Sequence, residues 1–407
     1  MKKNNILENL IYLVVFFIPL YLVKIKLWFL PTNVLEIIIG VIFLFWFFTD
    51  REKIKIKIKE FFSRYKNYII FGSLMLFGTL LSTFLSGNSL VSWGIVKSWF
   101  LVPLILFFLA WQVIEKEKIN RIFMAYFFSA FFVALISCGY YLANFLTYDN
   151  RLAGIFNSPN YLAMYLAPAI VIFIFQKNKV KSGYFLFFVP IVMVLFLTYS
   201  YSAWFSILTS LIILVLIKNK NISKKIAIIG IIILALFLSQ LNNKKMIDLL
   251  TANSRSSLAS RMMIWKASVK IIEDNFIFGI GPGNFQKTYL EYQKFYPPYL
   301  EWAVPHPNNL YLTWWLYGGI MGMVGFLGLA FFFLRDVSRE VHPMEYPAMR
   351  DNFTKQNLFH RVKKEPNDVL FVALGIMLII LIHGIFDTTY FKNDLAIIFW
   401  LNFLVLK

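Results

Sequence analysis

Apolar runs long enough to cross a bilayer recur along the whole 407-residue chain, each separated from the next by a polar connection. A bilayer core takes about 20 apolar residues in helical form. Helices and closed barrels are the only backbones that satisfy their own hydrogen bonds there. The runs predict about twelve membrane helices, near residues 8–23, 32–49, 68–85, 98–114, 122–146, 159–175, 183–199, 203–217, 226–241, 308–334, 369–387 and 394–406. The fold class that follows is an all-α polytopic membrane protein. The runs at 203–217 and 394–406 are short and need interfacial aromatics at their ends to reach across.

Composition narrows the function classes. The chain is 59% hydrophobic and only 15% charged, below the charge of a soluble domain. A formal net charge of +19 would point a soluble protein toward nucleic acid. Here the basic residues lie between apolar runs, where they orient the chain and meet anionic headgroups. No basic-groove module is present, so nucleic acid is not an expected partner. The single cysteine, Cys138, excludes an intrachain disulfide or a multi-cysteine zinc site, and its apolar surroundings predict a buried small side chain. Lysines and further apolar runs follow the first one, so no cleavable leader is expected.

Lys and Arg in the connections set the orientation. With Lys2 and Lys3 in the cytoplasm, Arg51 to Lys66, Lys116 to Arg121, Lys177 to Lys181, Lys218 to Lys225 and Arg335 to Lys364 fall on that side. The opposite short loops carry Lys24, Lys26, Lys97, Arg151 and Lys392. Both termini are therefore expected in the cytoplasm. The chain divides into an N-terminal bundle of about nine spans (1–241), a long extracytoplasmic loop (242–307), and C-terminal spans (308–407) with a cytoplasmic connection at 335–368. The alternating segment Lys53 to Lys59 reads as a solvated basic loop anchored to headgroups, in preference to a small strand.

The outer loop has local structure of its own. A helix is predicted from Ser256 or Ser257, as N-cap, to about Asp274, with Leu258, Met262, Trp265, Val269 and Ile272 on an apolar face. Gly279-Ile280-Gly281-Pro282-Gly283-Asn284-Phe285 follows as a tight turn that matches neither glycine fingerprint for phosphate. The aromatic stretch from Tyr289 to Trp302 suits the headgroup layer. His306 lies in Pro305-His306-Pro307-Asn308-Asn309, which has the chemistry of a helix start.

Together these segments resemble the O-antigen ligase and O-antigen polymerase superfamily. Arg261 and Trp265, the glycine turn, His306 to Leu312, Tyr317-Gly318-Gly319 and Gly322 carry the resemblance, joined by Arg151 to Asn160 and by His383-Gly384-Ile385-Phe386-Asp387. The resemblance implies a GT-C-like bundle in the inner membrane with its active site on the periplasmic face. It implies inverting, metal-independent transfer of glycan from an undecaprenyl-diphosphate donor to an acceptor hydroxyl. The acceptor is a lipid A core sugar in ligases and another lipid-linked repeat in polymerases. Members often carry a Ser-Arg pair where this chain has Ser200-Tyr201, so Tyr201 stands in the place of a third cation.

These residue types suit that chemistry. Charge builds on the departing diphosphate, and guanidinium forks match it, which assigns Arg151 and Arg261 to the leaving group. The acceptor hydroxyl must lose a proton, and His306 is the only histidine of the outer loop, with Glu291 or Glu301 as alternative bases. Trp265, Gly281, Gly283, Asn308, Asn309, Tyr201, His383 and Asp387 complete the expected substrate site. His383 and Asp387, four residues apart, are placed on one helical face near the outer end of their span. No Asp-x-Asp motif occurs, and with arginines in the ion's place no metal or other cofactor is expected. Expected partners are the lipid-linked donor, a glycolipid acceptor and the bilayer. Three other readings compete. A flippase predicts paired broken helices, a cell-wall polymerase of the shape, elongation and division family predicts an outer-loop aspartate, and a scaffold predicts that alanine is tolerated at His306, Arg151 and Arg261.

Overall fold

A computed structural model describes residues 2–27, 30–87, 89–176, 185–218, 239, 246–247, 256–296, 304–341 and 368–407. The predicted span at 226–241 except Ser239, the connection at 342–367, and Glu301, His342 and His360 lie outside these.

The described chain is nearly all helical. Its main helices are α1 (Lys2–Phe16), α2 (Val34–Arg64), α3 (Lys66–Leu85), α4 (Ser89–Val96), α5 (Val102–Val113), α6 (Ile119–Leu142), α7 (Pro159–Gln176), α8 (Phe185–Leu197) and α9 (Tyr201–Lys218). They continue with α10 (Ser257–Asp274), α11 (Phe285–Tyr292), α12 (Leu310–Val341), α13 (Asp368–His383) and α14 (Asn393–Asn402). Among the described residues six helices, counting α4 to α5 as one, are long and apolar enough to cross a membrane, and five shorter apolar helices accompany them. Each of these coincides with a predicted run.

Two local expectations are corrected. Lys24–Leu27 and Leu30–Asn33 form an antiparallel hairpin, β1 and β2, pairing Lys24 with Asn33 and Lys26 with Pro31. The alternating Lys53 to Lys59 segment is neither strand nor loop: α2 runs on through it. Lysine and isoleucine both continue a helix once it is nucleated, and alternation alone supplies no strand partner.

The tightest packing joins α3 to α12. A Cβ at Gly78 would lie 2.6 Å from the Gly318 carbonyl oxygen, and one at Gly325 would lie 2.5 Å from the Met75 nitrogen. Small residues let backbones approach where lipid offers no hydrophobic drive. At Gly319 the helix kinks with φ of 61°, and Ile320 N–H donates to the Ile277 carbonyl (3.2 Å). This ties the outer loop to the bundle.

The helices α9 and α13 run antiparallel. At one end Ser202 Oγ meets His383 Nε2 (3.1 Å); at the other Lys218 pairs with Asp368 (2.8 Å). Connections predicted to share the basic side also meet. Arg64 donates to the Leu406 carbonyl (3.1 Å), Tyr68 to Asp336 (2.7 Å), and Lys407 to the Ile114 carbonyl (2.6 Å). The start of α7, the end of α8, the starts of α9 and α12 and the end of α13 gather at the Ser202–His383 end, where the candidate site lies.

Candidate active site

The Arg151 segment enters α7 through a short loop pinned by Thr147, whose hydroxyl accepts from Arg151 N–H (3.1 Å) and donates to the Arg151 carbonyl (3.0 Å). The guanidinium is largely buried and spreads its donors. Nε donates to the Thr198 carbonyl (2.8 Å), Nη2 to Asn160 Oδ1 (2.6 Å), and Nη1 lies 3.6 Å from Asp149 Oδ2. Burial lowers its pKa; Asp149 opposes that shift and Arg261 adds to it.

Asn160, on the first turn of α7, carries the connection onward: its Nδ2 donates to Asp387 Oδ2 (3.1 Å). Asp387 is 3% exposed. Its Oδ1 accepts from the Thr388 N–H (2.9 Å), and Arg261 Nη2, arriving from α10, stands 3.9 Å from its Oδ2. The two arginines thus converge through Asn160 and one carboxylate, although 110 positions separate them in the sequence. Each arginine stands near one carboxylate, Arg151 by Asp149 (3.6 Å) and Arg261 by Asp387 (3.9 Å), beyond ordinary hydrogen-bond distance, so an anionic ligand can compete for both cations.

The helix α10 begins as predicted, with Ser256 Oγ accepting from Ala259 N–H (3.2 Å). Its buried face differs from the expected one. Met263, Ile264, Ala267 and Ile271 are buried, as is Ile272, whereas Leu258, Met262 and Val269 are exposed. The helix has two apolar stripes, and the buried one also carries the small residues Ser260, Ala267 and Ser268. Trp265 Nε1 donates to the Pro307 carbonyl (3.0 Å), so Trp265 holds the histidine segment against α10.

His306 is half-buried. Its Nε2 is hydrogen-bonded to the Tyr161 hydroxyl, and its Nδ1 has no hydrogen-bond partner among the described residues. The Asn308 side chain favours the protonated ring. Burial lowers the His306 pKa below its ordinary value; Asp387 opposes this and Lys392 reinforces it. Lys392 lies over the Tyr161 ring, 3.2 Å from its centroid.

Other expected residues take supporting positions. Asn309 Oδ1 accepts from the N–H groups of Tyr311 (2.9 Å) and Leu312 (3.0 Å), capping α12, and its Nδ2 donates to the Ile385 carbonyl (2.9 Å). His383 and Asp387 do not share a helical face as expected, because α13 ends at His383. His383 turns to Ser202 while Asp387 turns to Asn160 and Arg261. Tyr201 packs edge-on against Trp204 (5.5 Å) within electrostatic reach of Arg151.

The structure does not bring Gly281 and Gly283 to this cluster as donors. Ile280 and Gly281 N–H both donate to the Leu316 carbonyl (2.7 and 3.2 Å). A Cβ at Gly281 would lie 2.7 Å from Ser86 Cβ, and one at Gly283 2.8 Å from Val91 Cγ1. The turn is a packing joint against α3 and α4. Tyr289 is likewise buried, stacked on Phe285 (5.5 Å), and not a headgroup residue. Cys138 is half-buried and free. Sequence reasoning missed Asn160, Tyr161, Ser202 and Lys392.

An apolar cavity of about 730 Å3 opens beside Arg151, lined by Ile136, Tyr140, Phe145, Leu146, Thr147 and Gly154 among others.

Residues 185–327 match the model of a family described as O-antigen ligase. This finding supports the O-antigen ligase and polymerase superfamily read from the sequence, and with it a membrane enzyme of that general type acting on lipid-linked polysaccharide. The matched stretch holds Arg261, Trp265, the glycine turn and His306. Arg151, His383 and Asp387 lie outside it and join the matched segment through the contacts above. No curated protein matches the chain.

Proposed function

We propose that the chain is a glycosyltransferase of the ligase type, moving glycan from an undecaprenyl-diphosphate carrier to an acceptor hydroxyl on a lipid A core sugar, at the extracytoplasmic face of the inner membrane. The observation that carries this is the convergence of Arg151, Arg261 and His306 at one end of the bundle through Asn160, Asp387 and the α12 cap. Arg151 and Arg261 take the diphosphate, whose charge grows as the glycosidic bond to the anomeric carbon breaks. His306 removes the acceptor proton as that oxygen attacks from the opposite face, giving inversion. The cavity beside Arg151 suits the isoprenoid end of the donor. The alternation of basic connections supports cytoplasmic termini and an outward site.

The test is transfer by purified protein given undecaprenyl-diphosphate glycan, with a lipid A core acceptor or with none. Glycan on the core is expected. Longer chains on the carrier without added acceptor would make the chain a polymerase. With His306→Ala, loss of about 100-fold or more in turnover is expected in a folded protein. Wild-type turnover there would remove the base assignment.

A further inference from the structure

Lys392 precedes α14 and is a half-buried cation beside the site that the proposed chemistry leaves unused. It forms no ion pair among the described residues, and its ammonium sits on the ring of Tyr161. The same tyrosine hydroxyl meets His306 Nε2. Three elements therefore meet in line: the loop after α13, the first turn of α7, and the segment that opens α12.

The hydrogen bond constrains the ring. A neutral imidazole carries one proton, so one nitrogen donates and the other accepts. If Tyr161 donated to Nε2, the proton would sit on Nδ1 and the ring would offer no lone pair to an acceptor hydroxyl. If Nε2–H donates to the Tyr161 oxygen, the lone pair is left on Nδ1, which is buried, has no hydrogen-bond partner among the described residues and belongs to a ring that the Asn308 side chain also reaches, so the acceptor must displace that cover to meet it. A cation over the tyrosine ring fixes the ring's position. It also opposes a second positive charge on the adjacent imidazole.

We propose that Lys392 is a positioning residue for His306: it seats Tyr161 so that the tyrosine oxygen accepts a hydrogen bond from Nε2–H, and its charge keeps the imidazole uncharged with Nδ1 as the base atom. This rests on the reading of His306 as the acceptor's base. Around the unit, Asp387 favours a charged His306 and Lys392 disfavours it, while Asn308 favours the protonated ring. Burial pushes Lys392 down to about 8; Asp394 and Asp387 oppose that shift and Lys24 adds to it. The lysine therefore loses its charge in the mildly alkaline range, and its hold on His306 weakens there.

The experiment is a titration of the full-length protein labelled with 13C and 15N in histidine, with the His306 signal identified by its loss in His306→Gln. Nitrogen shifts of the wild type are expected to show the Nε2–H tautomer, and Tyr161→Phe to give a mixture. In Lys392→Met the His306 titration is expected to move up by about one pH unit, with Lys392→Arg close to wild type. The acid limb of kcat/KM is expected to move with it, which a merely structural loss would not produce. An Nδ1–H tautomer in the wild type, or an unmoved titration in folded Lys392→Met, overturns the proposal. If Lys392→Met does not fold, the wild-type tautomer alone decides. Full turnover in His306→Ala would instead defeat the base reading while leaving the titration result standing, so the two failures are separable.

Discussion

Arg261 and Asp387 meet with Nη2 3.9 Å from Oδ2, one from the loop helix α10 and the other from the turn after α13. The separation exceeds an ordinary hydrogen bond, so the guanidinium is held near the carboxylate without being saturated by it. Such a pair positions a cation and leaves its donors available.

Asp387 is therefore expected to matter through geometry. Asp387→Asn keeps one acceptor oxygen for the Thr388 N–H, sets its amide NH2 against the Asn160 donor, and leaves Arg261 without its counter-charge, while Arg151 keeps Asp149. Removing one partner of a buried ion pair costs about 3–5 kcal/mol. Turnover is expected to fall by about two orders of magnitude or more, alongside a lower unfolding temperature in detergent. Turnover unchanged with stability unchanged would remove Asp387 from the site.

Arg151→Lys tests the fork. The native side chain donates along two directions at once, to the Thr198 carbonyl and to Asn160. An ammonium on a four-carbon stem presents a point charge and does not reproduce both. A loss of about 100-fold in kcat is expected, comparable to removing one donor from a charge-stabilising site. Binding of the donor lipid, measured separately, is expected to weaken less than turnover.

Asn160→Ala tests the link between the arginines. Its carbonyl oxygen accepts from Arg151 and its amide donates to Asp387, so no substitution by aspartate or alanine preserves both roles. Each hydrogen bond to a charged group contributes about 1.5–3 kcal/mol. Turnover is expected to fall about tenfold or more in Asn160→Ala, and Asn160→Asp is expected to be no better. Rescue by aspartate would show that Asp387 does not need a donor there.

The site was legible where a residue broke a pattern. Arg151 and Arg261 are cations in connections that the positive-inside reading assigns to the basic-poor side, and His306 is a lone imidazole between two prolines. Asn160 and Tyr161 sit on the first turn of α7, where polar residues look like ordinary helix-start chemistry, and Lys392 looks like one more loop charge. Their roles depend on a fold that brings α7, the α12 start and the α13 turn together, which no local spacing encodes. The same limit explains α10. Periodicity found an apolar helix with the right cap, but two stripes were available, and the buried one is the stripe that includes the small residues Ser260, Ala267 and Ser268. The hairpin at Lys24 to Asn33 has no turn dipeptide to announce it, and its alternation, Lys24-Ile25-Lys26-Leu27, is only four residues long and is not matched in the second strand.

The pH profile follows from the surroundings of His306. The base acts when neutral. Burial lowers its pKa, so the neutral form persists to lower pH than for an exposed histidine, whose ordinary value is 6.5. The acid limb of kcat/KM is therefore expected to inflect below about 6.5. Asp387 stabilises the protonated ring, so Asp387→Asn is expected to move that inflection lower still, whatever remains of its turnover. A limb that moves upward in this variant would reverse the sign assigned to Asp387.

Gly319 tests how the loop is anchored. Its φ of 61° belongs to the left-handed region, and an added Cβ would fall 2.0 Å from the Ile277 carbonyl oxygen, the same oxygen that accepts from Ile320 N–H. The backbone conformation alone costs a non-glycine residue about 1–3 kcal/mol. The contact adds to this, since the carbonyl must move and release its hydrogen bond. Gly319→Ala is expected to separate the outer loop from α12, lowering the unfolding temperature and exposing sites around Phe276 to Phe278 to protease. The displacement reaches the site through Trp265, which holds the Pro307 carbonyl, so turnover is expected to fall although Gly319 touches none of the charged residues. An alanine variant as protease-resistant as the wild type would mean that the kink does not anchor the loop.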